Sequence, residues 1–369
     1  MAKVTVHSKR VSSMLANRNR TPADIADLGL SVDPMTLLRE DSMLTLDDLK
    51  MLGKFFKQPW PSLLVNEPEV LRSLGHDNRT FLNRQLRLSP DTFDVILAVT
   101  DMLDAAADLF PDTIYEVPVD LTANASAEAI GASIRHFLGI TDEAQLALHD
   151  DFGALRLWGT ALQNRGVYVA QRPIKDDGVR AFSRVDGRHA VVVVDTQDLP
   201  RARVFSLLHE YAHIVLRTPG LCDLDDHSDI ERHCNEIAAA VLMPVEMVST
   251  LLNGRHFGSS PQADDETLGE VSRKLRVSQA SLLIRLRDTG FIDHATYDAM
   301  EQRRASRRSD SSKTPGGQDY PTQINRVGRR FARNVLGVLD TGVINTQDAS
   351  SLLEIREHNL GRYRAELER

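Results

Sequence analysis

The sequence predicts an α+β fold, mostly helical, with a small sheet ahead of a central helix and helical segments on either side. Three observations predict it. Residues 189–195, HAVVVVD, form an apolar, β-branched run, with weaker strand candidates at 166–171 and 178–185. Directly after them, Phe205, Leu208, Ala212 and Val215 recur at helical spacing and mark one buried stripe of a helix. The remaining long periodic segments, 91–109, 126–138 and 142–163 before the strands and 267–288 after them, are all helical in period.

Composition sets the frame for these elements. The chain has 369 residues, 42% of them hydrophobic, enough for two or three domains with cores of their own. A formal net charge of −8 argues against wholesale nonspecific nucleic-acid binding and leaves local basic patches open. The first residues carry no apolar signal-peptide core, and no stretch reaches the roughly 18 uninterrupted apolar residues of a membrane helix, so a cytoplasmic protein without a membrane partner is expected. Two cysteines, Cys222 and Cys234, fit a reducing compartment and are expected to be reduced bystanders rather than a disulfide.

The central helix carries the pentad His209-Glu210-Tyr211-Ala212-His213. Histidines four residues apart on a helix project from one face and share a metal ion, and an HExxH on such a helix points to a zinc peptidase with the glutamate as general base. Strands followed by the metal helix is also the order in which thermolysin-type zinc peptidases set an edge strand beside the active-site helix, where a substrate adds as a further strand. A catalytic zinc takes three protein ligands and keeps one position open, so a third ligand must follow. The next helical segment, 230–243, offers Glu231, His233 and Glu236. Glu231 is preferred, because Asn235 four residues on would share its face and accept a hydrogen bond from the free ring nitrogen of a ligand histidine. His233 and Glu236 stay open as alternative ligands, and Ser228-Asp229-Ile230-Glu231 also reads as a capping box in which Glu231 turns back to its own helix start.

These residues carry a resemblance. HEYAHIVL followed by ERHCNEIAAAVLMP is similar to the two motifs of the ImmA/IrrE metallopeptidase family, roughly HELxHxxL and ExxANxFAAxLLMP, and the likeness extends over about 124–252. Cys234 stands where alanine is usual and Ile237 where phenylalanine is usual. The resemblance implies a minimal thermolysin-like core, Zn2+ as cofactor, Glu231 as third ligand beside His209 and His213, and Glu210 as the catalytic general base. An oxyanion-stabilising donor is also expected, with His227, Tyr211 and Tyr168 as unranked candidates.

Around this core the sequence suggests five parts: 1–66, 67–255 with the peptidase, 256–302, a linker at 303–323, and a helical tail at 324–369. The first has Lys3, Lys9, Arg10, Arg18 and Arg20 without an acid in its first twenty positions, then short helices at 8–17, 21–28, 33–39 and 45–56 with Thr21 and Thr45 as N-caps. TPADIADLGLSVDPMTLLRE weakly resembles a phage-repressor helix-turn-helix, in degenerate form: Pro22, an early Gly29, and Pro34 beside Asp33, Glu40 and Asp41 oppose phosphate contact, which sets DNA binding against a packing or dimerisation role. Residues 267–288 read as a second helix-turn-helix with a core of Leu268, Val271, Leu275, Leu282, Leu283 and Leu286 and with Arg273, Lys274, Arg276, Arg285 and Arg287 exposed. The tail carries an apolar stripe of Val327, Phe331, Val335, Leu336 and Leu339 that must dock on the body or on another copy.

Two functions compete on this sequence. One is a zinc-dependent, site-specific endopeptidase that cuts a transcriptional repressor or antitoxin and so derepresses a stress, phage or mobile-element operon. The other is a DNA-binding regulator or antitoxin-like scaffold with a structural or vestigial zinc site. Intact HEYAH with only three evident ligands favours the first.

Overall fold

A computed structural model describes residues 3–69, 88–118, 125–176, 178–217, 229–258, 260–307 and 321–369. The chain divides into two compact units, Met1–Thr100 and Asp101–Arg369.

In the first unit, β1 (Lys3–Val6) pairs antiparallel with β2 (Ser42–Thr45), with Val4 opposite Leu44. This two-stranded sheet was not visible in the sequence, because four-residue strands whose exposed and buried positions are mixed leave too little period to detect. Four helices surround it: α1 (Ser8–Ala16), α2 (Pro22–Ala26), α3 (Pro34–Arg39) and α4 (Leu46–Phe55). Thr45 caps α4 as expected, accepting from Asp48 N at 3.2 Å while the Asp48 carboxylate takes the Thr45 N–H at 2.9 Å. Val6, Met14, Ile25, Leu37, Leu44, Leu52 and Phe56 close the core. The helix expected to read DNA, α3, has six residues, begins at Pro34 under an Asp33 cap, and carries Arg39 as its cation.

The boundary between units falls within α5 (Pro90–Leu109). The second unit then runs through α6 (Ala127–Leu138), α7 (Asp142–Leu146) and α8 (Asp151–Asn164). The single helix expected over 142–163 is broken because Asp150 leaves the helical path and its Oδ1 accepts from Gly153 N at 2.5 Å, starting a new helix. Three strands follow, β3 (Tyr168–Arg172), β4 (Ala181–Asp186) and β5 (His189–Asp195), in the spatial order β3-β5-β4. β3 runs parallel to β5 and β4 antiparallel to it. Every residue of β5 is buried, as its unbroken apolar run requires of a central strand.

The metal helix α9 (Pro200–Val215) crosses this sheet against β4 and β5. α10 (Asp229–Leu242) packs on α9 and on α6, where Gly131 admits a close approach: a Cβ there would lie 2.7 Å from the Cβ of Ala240. After α11 (Val245–Leu252) come α12 (Pro261–Leu275), α13 (Gln279–Asp288) and α14 (His294–Arg307). They were expected as a separate helix-turn-helix part, but Leu268, Val271, Leu275, Leu282, Leu283 and Leu286 are buried in the same cluster as Leu208 and Ala212 of α9. The cationic face expected here is also reduced. Arg285 is buried, with its guanidinium held by Glu128 at 2.5 and 2.8 Å and by the Met243 carbonyl at 3.0 Å, and Arg276 donates to the Leu148 carbonyl.

The expected linker lies largely outside the described residues, between the end of α14 and α15 (Pro321–Val327). The tail continues with α16 (Arg329–Asp340), α17 (Thr346–Leu352) and α18 (Leu360–Leu367), and it docks on the body. Gly328, at φ +86°, passes so close to β3 that a Cβ would sit 2.4 Å from the Val169 carbonyl oxygen. Asn334 Nδ2 donates to the Tyr168 hydroxyl at 3.3 Å, and Phe331 meets the Tyr168 ring edge-on at 5.6 Å. The tail therefore lies along the β3 side of the sheet. Among the described residues, no single helix is long and apolar enough to cross a membrane.

Candidate metal centre

α9 starts with Pro200 in its first turn, where a missing N–H costs nothing, and buries every residue from Leu207 to Val215. This burial fixes the rotation of the helix, so His209 and His213 share one face, their ring centroids 4.9 Å apart. Glu231 enters from the first turn of α10, and the α9–α10 packing carries it to that face. Its Oε2 lies 3.2 Å from His209 Nε2 and its Oε1 3.4 Å from His213 Nε2, while the two Nε2 atoms are 3.2 Å apart.

These three separations test whether the side chains fit a zinc ion. Tetrahedral coordination with bonds of about 2.0–2.1 Å needs ligand atoms roughly 3.3–3.4 Å apart. The Nε2–Nε2 separation and the approach of one carboxylate oxygen to each imidazole are of that order, and the donor set of two imidazoles and one carboxylate is that of a catalytic zinc. Among the described residues, His209, His213 and Glu231 make the cluster of potential ligands. The alternatives do not reach it: His233 and Glu236 pair with one another at 3.5 Å on the half-exposed and exposed side of α10.

The electrostatics describe a charge-balanced cluster. Burial opposes ionisation of Glu231, but hydrogen bonds with His209 and His213 outweigh it and hold the carboxyl down to about 2. Burial likewise opposes protonation of His213, and contacts with Cys234 and Glu231 overcome it, raising its pKa. Glu210 is 1% exposed, and its charge is close enough to favour the protonated form of His213.

Other expected roles fare differently. Asn235, expected to accept from the free ring nitrogen of a ligand histidine, is exposed, and His209 Nδ1 is buried without a hydrogen-bond partner among the described residues. Four residues along α10 correspond to about 400° of rotation, so Asn235 is turned from Glu231 by about 40°, enough to place it at the solvent side. Tyr168 points its hydroxyl to Asn334 of the tail. Tyr211 is fully buried, its hydroxyl lying toward Arg165 and Glu116 with its pKa raised by burial. Neither tyrosine is presented to the metal cluster, and His227 and Cys222 lie outside the described residues. Cys234, treated as a bystander, is buried in contact with His213, a proximity that its place three residues after Glu231 signals.

A three-ligand metal face on an HExxH helix, beside a three-stranded sheet, defines the class of metallopeptidase-type domains. Residues 162–287 match the family model described as Peptidase_M78, IrrE N-terminal-like domain, and the likeness to the ImmA/IrrE metallopeptidases lies in this segment. The radiation response metalloprotease IrrE of Deinococcus deserti is 36% identical over 110 residues, which take up 27% of this chain and 37% of that protein. Its counterpart from Deinococcus radiodurans is 31% identical over 110 residues, 27% of this chain and 32% of that protein. The chain thus spans about a third of the length of these curated relatives.

Proposed function

We propose that this protein is a zinc-dependent, site-specific endopeptidase whose substrate is a transcriptional repressor or antitoxin. The observation that carries the reading is the gathering of His209 Nε2, His213 Nε2 and the two Glu231 carboxylate oxygens, each imidazole within 3.2–3.4 Å of one oxygen, beside a buried Glu210. A structural site would be closed by a fourth protein ligand, and the cluster of described residues has three. When bound, zinc supplies Lewis acidity that polarises the scissile carbonyl and makes a water acidic enough to attack at neutral pH. His209, His213 and Glu231 would hold that ion. The Glu210 carboxylate accepts the proton of the attacking water and delivers it to the leaving amine nitrogen.

The sheet offers a place for the substrate backbone. Asp195 N donates to the Arg180 carbonyl, so in the β4–β5 register the hydrogen-bonded pairs fall at Phe182, Arg184 and Asp186. The N–H and C=O groups of Ala181, Ser183 and Val185 therefore point to the outer edge of β4, beside α9. An extended substrate segment pairs there as a fourth strand. The name carried by the Deinococcus proteins, a radiation response metalloprotease, supports the assignment to stress-linked proteolysis.

The test is zinc content of the wild type, Glu210→Gln and Glu231→Ala, paired with cleavage of the repressor candidate of the neighbouring operon. Wild type and Glu210→Gln should each hold about one zinc per chain, Glu231→Ala should lose it, and only the wild type should cut. A wild type without zinc, or a Glu210→Gln that cuts as fast as wild type, overturns the reading.

A further inference from the structure

The last three helices of the tail form a motif that their spacing in the sequence does not announce. α17 runs over Thr346–Leu352, the chain turns through Leu353–Arg356, and Glu357–Leu367 continues as a 3-10 turn that leads straight into α18, which together is a helix-turn-helix. α16 packs on both α17 and α18. Val335, Leu336, Ala349, Leu353, Tyr363 and Leu367 are buried and supply the apolar inside of this three-helix group. Two tethers fix α18 on α16: the Arg364 guanidinium donates to both Asp340 carboxylate oxygens at 2.7 and 2.8 Å, and Arg329 Nη1 donates to the Leu367 carbonyl at 3.0 Å.

The turn is sharp and anchored. Glu354 sits at φ +54°, a left-handed conformation that glycine takes most easily, while Glu354 N and Ile355 N close the end of α17 on the carbonyls of Ser351 and Ser350 at 3.1 and 3.0 Å. A side chain is kept there because it is used: its carboxylate pairs with Arg172 of β3 and, at 3.5 Å, with Arg326 of α15, which fastens the motif to the sheet. Opposite the buried side, Arg356, Glu357, His358, Gly361, Arg362 and Ala365 face solvent. Gly361 weakens the helix relative to alanine, yet its φ is not left-handed and a Cβ there would meet nothing within 4 Å, so neither the backbone nor internal packing calls for it. Together with Ala365 it leaves the middle of this face low, with the cationic side chains around it.

We infer that this outer face of α18 docks in the major groove of double-stranded DNA. The groove is about 12 Å wide and admits one helix, and a helix with a low centre seats deepest. Arg356 and Arg362 bring charge for phosphates and a bidentate fork for guanine, and Glu357 accepts from the amino group of cytosine, so the one acid among these six residues discriminates between base pairs. A protein partner fits less well, because interface cores are anchored by aromatic and large apolar side chains and this face has none. A chain of net charge −8 repels DNA over most of its surface, so contact has to be local and sequence-selective. The two segments whose sequence suggests a DNA reader lack such a face: α3 starts at Asp33 and Pro34, and Arg285 is buried.

The inference stands apart from the endopeptidase reading, and its test needs no cleavage. The full chain selects duplexes from a random-sequence pool, and fluorescence anisotropy then measures its affinity for the enriched duplex at several salt concentrations. The wild type should bind that duplex about 10-fold or more tighter than unselected DNA. Arg356→Ala with Arg362→Ala should weaken binding by about 10-fold or more and flatten the dependence of log K on log salt by about 1 to 2. Gly361→Leu puts a side chain into open space on the outer face, so it should keep or raise Tm while abolishing the enrichment. Arg273→Ala, on the exposed side of α12, should change neither affinity nor salt dependence. Binding is read on Glu210→Gln as well as on the wild type, so a failure of the endopeptidase reading leaves this result intact. No enriched duplex, binding that survives both the double arginine variant and Gly361→Leu, or binding lost in Arg273→Ala alone overturns the inference. Capture of single-stranded RNA or of a protein at this face in place of duplex DNA overturns it as well.

Discussion

Glu231 reaches the metal face because α10 begins only two residues before it, so its side chain leaves the first turn toward α9 rather than running along its own helix. It then serves both histidines, one through each carboxylate oxygen. Replacing it by glutamine keeps the shape and removes the charge. Glu231→Gln should therefore weaken zinc binding beyond the roughly 10–100-fold that loss of an outer partner costs, measured by competition with a chelating dye. A smaller effect would mean that the histidines suffice. A second carboxylate makes a different case. Burial works against the charge of Asp48, but hydrogen bonds from Ser31 and Thr45 outweigh it and hold its pKa down to about 2 from 3.8. Because the folded value lies below the unfolded one, this contribution is complete above pH 3.8 and disappears as pH falls through the folded value. The gap is worth about 2 kcal/mol, so Asp48→Asn should flatten the acid limb of the first unit's urea stability between about pH 4 and 2. An unchanged acid limb would place that stability elsewhere.

At the scale of elements, the sheet has two edges with different fates. The tail covers the β3 side, with Gly328 against Val169, while β4 keeps outward N–H groups next to α9. Val185→Pro removes one outward N–H and leaves the β4–β5 ladder intact, since that N–H is not part of it. If substrate adds to β4, KM should rise several-fold with zinc content unchanged; an unaltered KM would direct the substrate elsewhere. The sequence made this architecture legible where chemistry and period coincide. HExxH set two histidines on one face, the family motif singled out Glu231 over His233 and Glu236 as the residue that comes beside them, and the apolar run 189–195 marked the central strand. It was silent where partners are distant. Nothing in Lys3–Val6 announces pairing with Ser42–Thr45, and nothing in the spacing of Arg285 shows that Glu128 and the Met243 carbonyl will bury it. Basic residues at helical spacing look alike whether they face solvent or a neighbouring helix, so the helix-turn-helix pattern of 267–288 revealed its helices and concealed their use. Asn235 missed its expected place for a related reason: a shared helix face is about 100° wide, and 40° decides between core and solvent.

For the molecule as a whole, the division at Thr100 and Asp101 separates the metal cluster from the first unit in a way that can be read out. The chain has two tryptophans, Trp60 in the first unit and the buried Trp158 in the second. Each therefore reports on one unit when the other is replaced by phenylalanine. Bound by His209, His213 and Glu231, zinc would hold α9 and α10 together, and an ion that binds only the folded form stabilises it by about 4 kcal/mol when its free concentration is roughly 1,000 times Kd. For a unit of this size such a gain corresponds to a melting shift on the order of 10 °C. Chelation should thus lower the Trp158 transition by about that amount while the Trp60 transition stays in place, and re-addition of zinc should restore it. The control is Glu231→Ala, in which chelator should move neither transition. Equal displacement of both reporters in the wild type would mean that the units unfold as one cooperative body, and no displacement of either would mean that the cluster closes on no metal under those conditions.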